Sequence, residues 1–236
     1  MYWVKINGKD SRDVDGLFVA SLPPITKPEM RVEQLLIDGK DGDITEPLGY
    51  AAYDKSIIVG TFRGADIDEI IDYFEPEGEI VFSNEPEKFY DYKLLSQVDY
   101  EQVIRMRKAE VVFHVQPHKY PAEDRERLFE SPTSPIKVTN YGNEFSAPIY
   151  TITGQGTVTM SLNGTPVLAI AFGAQESTIK IDVAELEATA VPSGAYVNRS
   201  ISGNYGNLKL KVGRNELSWT GGTISRLKVE KFTRWI

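Results

Sequence analysis

Apolar and polar residues alternate over several short stretches in the first half of the chain, the pattern of β-strands that bury one face. The first stretch is followed by Asn7-Gly8, a sequence that favours a tight hairpin turn. The predicted strands of this half are residues 2–6, 30–37, 55–62, 79–83, 89–97 and 103–115. These segments indicate a domain made mainly of β-strands.

One segment of this half has helical spacing instead. Residues 67, 70, 71 and 74 are apolar, which places them on one side of an α-helix. Acidic residues occupy its first turn, where they stabilise the helix N-terminus, and Pro76 stops the helix. We therefore predict one short amphipathic helix among the strands.

The second half is rich in Gly, Ser, Thr and Asn, and its apolar stretches are short and evenly spaced. The predicted strands are residues 147–154, 157–162, 165–172, 177–182, 187–191, 196–200, 208–210, 215–220 and 225–232. Many short strands with a turn about every ten residues are typical of a β-sandwich or barrel.

A change of composition separates the two halves. Residues 121–127 are mostly charged, and residues 131–135 have the proline-rich sequence SPTSP. Such stretches are typical of domain boundaries. We therefore predict a mainly β protein with a first domain at residues 1–125, a linker at 126–135 and a second domain at 136–236.

The charge of the chain is negative and unevenly distributed. The formal net charge is −8, and residues 1–125 contain 15 basic and 25 acidic side chains. This distribution argues against tight binding of nucleic acids, which requires an excess of basic residues. The apolar runs are shorter than the roughly 20 residues of a membrane helix, so we expect no membrane insertion.

The common catalytic and metal-binding patterns are incomplete in this sequence. It has no cysteine and only two histidines, His114 and His118, for which no third metal ligand is evident. The acidic stretch at residues 38–43 does not fit the calcium-loop pattern, because Lys40 occupies a ligand position in one register and glycine is missing in the other. We expect no catalysis, no cofactor and no metal site.

Aromatic residues of the second half leave two interpretations open. A flat ring can stack on a sugar, and the candidates for such contacts are Tyr141, Tyr150, Tyr196, Tyr205 and Trp219. From these we select Tyr141, Tyr205 and Trp219 as the candidate sugar-binding residues. Aromatic residues that alternate along strands are more commonly part of a core. Carbohydrate binding through the second domain is therefore the alternative function.

The order of several motifs along the chain carries a family resemblance. They are LIDGKDGD at residues 36–43, GEIVFSNEPEKFY at 78–90, VVFHVQPHKY at 111–120, NYGNEFSAPI at 140–149 and FTRWI at 232–236. In this order and spacing, the chain resembles the distal tail proteins (Dit) of long-tailed, non-contractile bacteriophages and prophages. The resemblance extends over essentially the whole chain.

The resemblance implies an N-terminal α+β domain like a tail-tube subunit, assembled as a hexameric ring or as two stacked rings, and a galectin-like β-sandwich outside the ring. The implied partners are the tail-tube protein, the tail-associated hub protein, and receptor-binding or other baseplate proteins. DNA would pass through the ring without specific binding. The implied location is the virion tail tip, after assembly in the host cytoplasm. Many members of the family carry inserted carbohydrate-binding modules, whereas this chain has no such insertion, which argues for the minimal, structural form. Glycan binding in host-cell adhesion is the alternative function.

The segment after the predicted strand at 30–37 is the candidate for contact with a neighbouring copy. Residues 38–54 are too many for a tight hairpin turn, which suggests a segment that reaches outward. From turn position and the resemblance, the candidate interface residues are Ile37, Asp38, Lys40, Asp41, Asp43, Tyr50 and Tyr53. Six acidic domains would also surround a bore with negative charge, which repels DNA.

Overall fold

A computed structural model describes residues 1–95 and 108–236 of the chain. Its contacts divide the chain into two compact units: unit 1 is Met1–Ala122 with Ile236, and unit 2 is Glu123–Trp235. Within these described residues, no helix is long and apolar enough to cross a membrane. Both units are built mainly from β-strands, as the sequence predicts.

Among residues 1–95 and 108–122, which the structure describes, unit 1 contains nine strands, one α-helix and a 3-10 helix at Ser11–Asp13. They are β1 (Val4–Ile6), β2 (Lys9–Asp10), β3 (Leu17–Ser21), β4 (Met30–Leu36), β5 (Asp43–Tyr50), β6 (Tyr53–Thr61), α1 (Ile67–Tyr73), β7 (Glu77–Phe82), β8 (Lys88–Lys93) and β9 (Lys108–Pro121). Seven strands form one antiparallel sheet in the order β2-β1-β7-β8-β9-β6-β3. The other two, β4 and β5, form a separate hairpin.

The seven-stranded sheet of unit 1 curls around an apolar core. A β-bridge between Tyr2 and Val19 connects the start of the chain to the edge strand β3. The helix α1 begins at Asp66, whose side chain accepts hydrogen bonds from two backbone N–H groups of the first turn. Ile70 and Tyr73 of this helix pack into the core of the sheet. The short helix predicted from apolar spacing therefore closes the core of unit 1.

Unit 2 contains eight strands. They are β10 (Glu126–Glu130), β11 (Ile136–Asn140), β12 (Ile149–Leu162), β13 (Thr165–Ala171), β14 (Ser177–Asp182), β15 (Glu187–Val191), β16 (Ile201–Gly203) and β17 (Gly213–Glu230). Two short 3-10 helices, Asn198–Ser200 and Tyr205–Leu208, lie on either side of β16.

The long strands β12 and β17 each contribute to both layers of a β-sandwich. Residues 149–154 of β12 pair with β14, and residues 157–162 pair with β13. Both parts of β12 also pair with β17, and the register shifts at the bend between them. Side chains from both layers form one apolar cluster. The sandwich predicted for the second half is confirmed.

Glycines permit the bends in these two strands. Gly156 of β12 and Gly221 of β17 have positive φ angles of 78° and 93°, which favour glycine. A Cβ on Gly222 would collide with the carbonyl oxygen of Gln155 in the facing strand. The two strands therefore cross closely at the corner of the sandwich, where only glycine fits.

Several element boundaries differ from the predicted ones. Residues 126–130, predicted as part of a linker, form β10 and pair along their length with β17. The predicted strand at 196–200 is wrong, because its second half is a 3-10 helix. The predicted strand at 208–210 is reduced to a single bridge at Leu210. The predicted strands at 89–97 and 103–115 fall partly on residues 96–107, which lie outside the described residues.

Candidate functional site

The hairpin of β4 and β5, which we call the arm (Met30–Tyr50), is the feature of unit 1 that the core does not explain. Its strands pair from Met30 with Tyr50 to Leu36 with Asp43, and a bulge at Leu48 interrupts the register. The turn at its tip is closed by a hydrogen bond from the Lys40 N–H to the Ile37 carbonyl oxygen, 3.1 Å long. Within the described residues, neither strand pairs with the main sheet.

The arm exposes apolar side chains that normally lie in a core. All seven residues of β4 are exposed, and the exposed fraction reaches 78% at Leu36 and 58% at Leu35. The other large apolar residues that the arm exposes are Met30, Val32, Ile37, Ile44 and Leu48. An isolated two-stranded hairpin is only marginally stable in water. This exposure therefore indicates a surface that another molecule covers.

Like charges on the arm reinforce this interpretation. Glu33 lies directly opposite Glu46 in the register, and equal charges at opposed positions destabilise a strand pair. The arm carries five acidic and two basic residues in all. The sequence of the arm therefore disfavours a stable isolated hairpin. It suits a hairpin that is bound to another molecule better.

Contacts at the base of the arm join it to unit 1. The Ala51 N–H donates to the Glu29 carbonyl oxygen at 2.8 Å, which closes the hairpin. The Lys27 ammonium lies 5.8 Å from the centre of the Tyr50 ring, and the His118 ring meets the same ring edge-on.

Two side chains of unit 1 hold the segment that leads into the arm. The Lys55 ammonium donates a hydrogen bond to the Pro24 carbonyl oxygen at 2.9 Å. The side-chain amide of Asn84 donates to the neighbouring Pro23 carbonyl oxygen, also at 2.9 Å. Residues 23–24 are therefore fixed to strand β6 and to the turn after β7.

Lys55 lies close to a second buried lysine and a carboxylate. Lys119 forms an ion pair with Glu85 at 2.9 Å, and the Tyr90 hydroxyl donates to the same carboxylate at 2.6 Å. Burial alone would raise the pKa of Glu85, but the hydrogen bonds from Tyr90 and Lys119 hold it below its usual range. Burial lowers the pKa of Lys55 to about 8. The two lysines, Lys55 and Lys119, and the Glu85 carboxylate therefore have a net positive charge at neutral pH.

The structure places most of the predicted interface residues on the arm. Ile37, Asp38, Lys40, Asp41 and Asp43 form the exposed turn at its tip and the start of β5. Tyr50 ends β5 at the base of the arm. Tyr53 lies instead on β6, where it packs partly buried against the core of unit 1.

The sequence-based selection missed the apolar residues that make the arm unusual. Leu35 and Leu36 read as ordinary strand residues, because a sequence does not show whether an apolar side chain is buried. Ile44 and Leu48 fall in residues 38–54, which the sequence predicts as a loop. The pairing of β5 was also missed, since Pro47 and Gly49 interrupt its alternation.

The three candidate sugar-binding residues do not share one surface. Tyr141 is exposed, whereas Tyr205 and Trp219 pack partly buried against the core of unit 2. Asn140, next to Tyr141, pairs with Gly213 of β17. Trp219 lies six residues further along the same strand, about 20 Å from Gly213. The Tyr205 hydroxyl donates to the Asn198 side chain at 3.1 Å. A common stacking platform of all three is therefore not formed.

The two histidines have contacts in unit 1 that do not involve a metal. His114 lies 2.7 Å from the Asp54 carboxylate, and His118 meets the Tyr50 ring. In the part of the chain that the structure describes, no group of three or more His, Asp and Glu side chains could hold a metal ion.

Comparison with known proteins gives structural matches only. No protein-family model matches the chain, and no curated protein matches it by sequence. Among solved structures, the chain is similar to the Dit protein (gp 19.1) of phage SPP1, with a TM-score of 0.65 and 16% identity over 100% of both chains. That protein is described as a paradigm of the hub adsorption apparatus in phages that infect Gram-positive bacteria.

Two further structural matches come from the phage P2 baseplate in its activated conformation. The structure with Ca gives a TM-score of 0.56 and 8% identity over 98% of both chains. The structure with Sr gives a TM-score of 0.51 and 10% identity over 99% of both chains. At these identities the matches establish the fold, and they confirm at that level the resemblance seen in the sequence. The chain has the fold of the Dit protein of phage SPP1.

Proposed function

We propose that this protein is a structural hub of a phage tail tip, and that it assembles through unit 1 as a hexameric ring. The observation that carries the proposal is the arm, which exposes seven large apolar side chains on a chain with the Dit fold. A closed ring gives every arm the same neighbour and leaves none uncovered.

In this role the ring joins the tail tube to the tail-associated hub protein, and unit 2 carries receptor-binding or other baseplate proteins. The protein acts at the virion tail tip after assembly in the host cytoplasm, without catalysis. The ring exists singly or as two stacked copies. The acidic excess of residues 1–125 suits a bore through which DNA passes without specific binding, because like charges repel.

Carbohydrate binding by unit 2 has less support. Tyr141 is 64% and Tyr196 72% exposed, but Tyr205 and Trp219 are partly buried and Tyr150 lies in the core. Individual exposed rings are a common surface feature and do not by themselves indicate a sugar site.

The proposed assembly is tested by light scattering on a sizing column over a range of concentrations. A hexamer of the 26.4 kDa chain has a mass of about 158 kDa, and two stacked rings have twice that mass. Electron microscopy of the same fractions should show ring-shaped particles. A mass of one chain at every concentration, and no rings, would count against the proposal.

Substitutions on the arm test whether its apolar residues make the contact. Leu35→Ser with Ile44→Ser removes two facing apolar side chains without adding charge. We expect the concentration at half-assembly to rise at least about tenfold, because each side chain contributes roughly 1 kcal/mol or more at an interface. Leu128→Ser, at an exposed leucine of unit 2, is the matched control and should leave assembly unchanged. Equal effects of the two variants would contradict a role for the arm.

A further inference from the structure

Lys55 occupies a position in β6 where the alternation of side chains calls for an apolar residue. It lies on the same face as Ile57 and Val59, which are buried in the core of unit 1. It is only 3% exposed, and it pairs in register with the buried Phe113. A lysine is among the residues least often found at such a position.

The surroundings of Lys55 are mostly aromatic. Its ammonium lies 5.1 Å from the centre of the Tyr90 ring, 5.5 Å from that of Tyr53 and 5.7 Å from that of Phe82. Within the described residues it forms no ion pair, whereas Lys119 is paired with Glu85. Its one hydrogen bond goes to the Pro24 carbonyl oxygen.

Stability alone does not account for this lysine. Removing an ammonium from water is costly, and an apolar residue of similar volume at a buried charged position is often neutral or stabilising. A methionine would fill the same space between the aromatic rings. What the lysine adds is a directed hydrogen bond to one carbonyl group, and the function of Lys55 lies in that bond.

The bonded segment cannot hold itself in place by the usual means. Pro23 and Pro24 have no backbone N–H, so they cannot donate to a sheet, and only their carbonyl groups can be bound. Asn84 binds the first of these carbonyls and Lys55 the second. The arm begins six residues after Pro24, so the direction of this segment sets the direction in which the arm leaves unit 1.

We propose that Lys55 is a positioning residue for assembly, which fixes the base of the arm through Pro24 together with Asn84 at Pro23. The role of the arm in assembly rests on the proposed function, but the anchoring of its base does not. Anchoring lowers the entropy that the arm loses when it meets a neighbouring copy.

The anchor also responds to pH. The groups that face Lys55 are Tyr53 on its own strand, Tyr90 on β8, Lys119 on β9 and Glu85 in the turn before β8. Burial and the nearby Lys119 disfavour its charge, while Glu85 favours it, with a pKa of about 8 as the result. Above that pH the bond to Pro24 loses its charge and weakens.

The test is hydrogen exchange on the full chain carrying Lys55→Met. We expect the protection factor of the Ala51 amide, which donates to the Glu29 carbonyl oxygen at the base of the arm, to fall by about tenfold. This fall corresponds to the loss of one hydrogen bond from a charged donor. The protection of β8 and β9 and the melting temperature should not decrease. Asn84→Ala should lower the protection of the same Ala51 amide, because it releases the adjacent carbonyl group.

Ile57→Val, two residues along the same buried face, is the control for a merely structural effect. It removes one methyl group from the core and should lower protection across the sheet without singling out the Ala51 amide. In the unaltered chain, the protection factor of the Ala51 amide should also fall between pH 7 and 9.5, and Lys55→Met should abolish this change.

Two results would overturn the anchor: unchanged protection of the Ala51 amide in Lys55→Met, or a uniform loss of protection like that of Ile57→Val. These exchange measurements do not require a ring. A chain that stays monomeric therefore counts against the proposed function and not against the anchor, and a ring with an unanchored base counts against the anchor alone.

Discussion

At the scale of single residues, unit 1 buries two lysines in different ways. Lys119 is neutralised by Glu85, which also accepts hydrogen bonds from Tyr90 and Lys88. Lys55 has a carbonyl group and aromatic rings instead of a carboxylate. The first arrangement keeps both charges satisfied, while the second leaves a cation whose protonation depends on the surrounding pH.

This difference predicts an unusual dependence of stability on pH. Because the pKa of Lys55 is about 8 in the folded chain and near 10.5 when unfolded, the unfolded chain binds more protons between these values. Stability from this residue therefore rises as the pH rises, by about 2 kcal/mol between pH 8 and 9.5. Urea unfolding followed by circular dichroism measures the free energy of unfolding at both pH values.

The relevant quantity is the difference between the unaltered chain and Lys55→Met, because other lysines and tyrosines cancel in it. The difference should change in favour of the unaltered chain as the pH rises. A constant difference would mean that Lys55 is not buried as a charged group. Combined with the exchange experiment, alkaline pH should stabilise the core of unit 1 and loosen the base of the arm.

At the scale of elements, glycines determine where the strands of unit 2 change layer. In the sequence, Gly221-Gly222 reads as a turn between two strands, and Gly154 with Gly156 does the same in the facing segment. The structure shows continuous strands, β12 and β17, that bend at these points and remain paired with each other. Local turn chemistry was identified correctly, but whether a chain reverses or only bends depends on the partner strand.

A substitution at the bend should therefore be costly. Gly222→Ala places a methyl group against the carbonyl oxygen of Gln155, and backbone on both sides leaves little room to move. We expect a loss of about 3 kcal/mol in the free energy of unfolding, the upper part of the range for overpacking. Urea unfolding followed by tryptophan fluorescence, to which Trp219 and Trp235 of unit 2 and Trp3 of unit 1 contribute, measures it.

Gly164→Ala is the comparison, since open space surrounds this glycine in the hairpin between β12 and β13. It has a positive φ of 82°, so its cost is limited to backbone strain of about 1 kcal/mol. Equal losses in the two variants would show that the bend tolerates a Cβ and that the close crossing is not required.

Some of the observed elements can be predicted from the sequence, and others cannot. Periodicity predicts the helix α1 and the long strands of unit 1, because their apolar faces cover a core. The Asn7-Gly8 sequence predicts the turn that follows β1. Residues 126–130 were assigned to a linker because prolines follow them, although Leu128 and Phe129 can pair with β17. The sequence predicts that residues 38–54 reach outward, but it does not show that Leu35 and Leu36 are exposed, since these leucines have the pattern of a buried strand.

At the scale of the whole molecule, net charge opposes the assembly that we propose for the arm. Each copy has a net charge of −8, and residues 1–125, with 25 acidic and 15 basic side chains, hold all of the acidic excess. Bringing copies together therefore costs electrostatic free energy, and apolar contacts of the arm must exceed this cost. Salt screens repulsion between exposed charges, with a Debye length of about 10 Å at 0.1 M.

Assembly should consequently become stronger as salt is added. Between 50 and 500 mM NaCl at pH 7.5, we expect the concentration at half-assembly, measured by light scattering, to decrease several-fold, because screening reduces repulsion and burial of apolar side chains persists. Glu33→Gln with Glu46→Gln removes an opposed pair of like charges from the arm. It should strengthen assembly most at low salt and so flatten the salt dependence. If salt instead weakens assembly, ion pairs and not apolar residues hold the copies together. The next residues to substitute are then the acidic side chains of the arm tip, Asp38, Asp41 and Asp43.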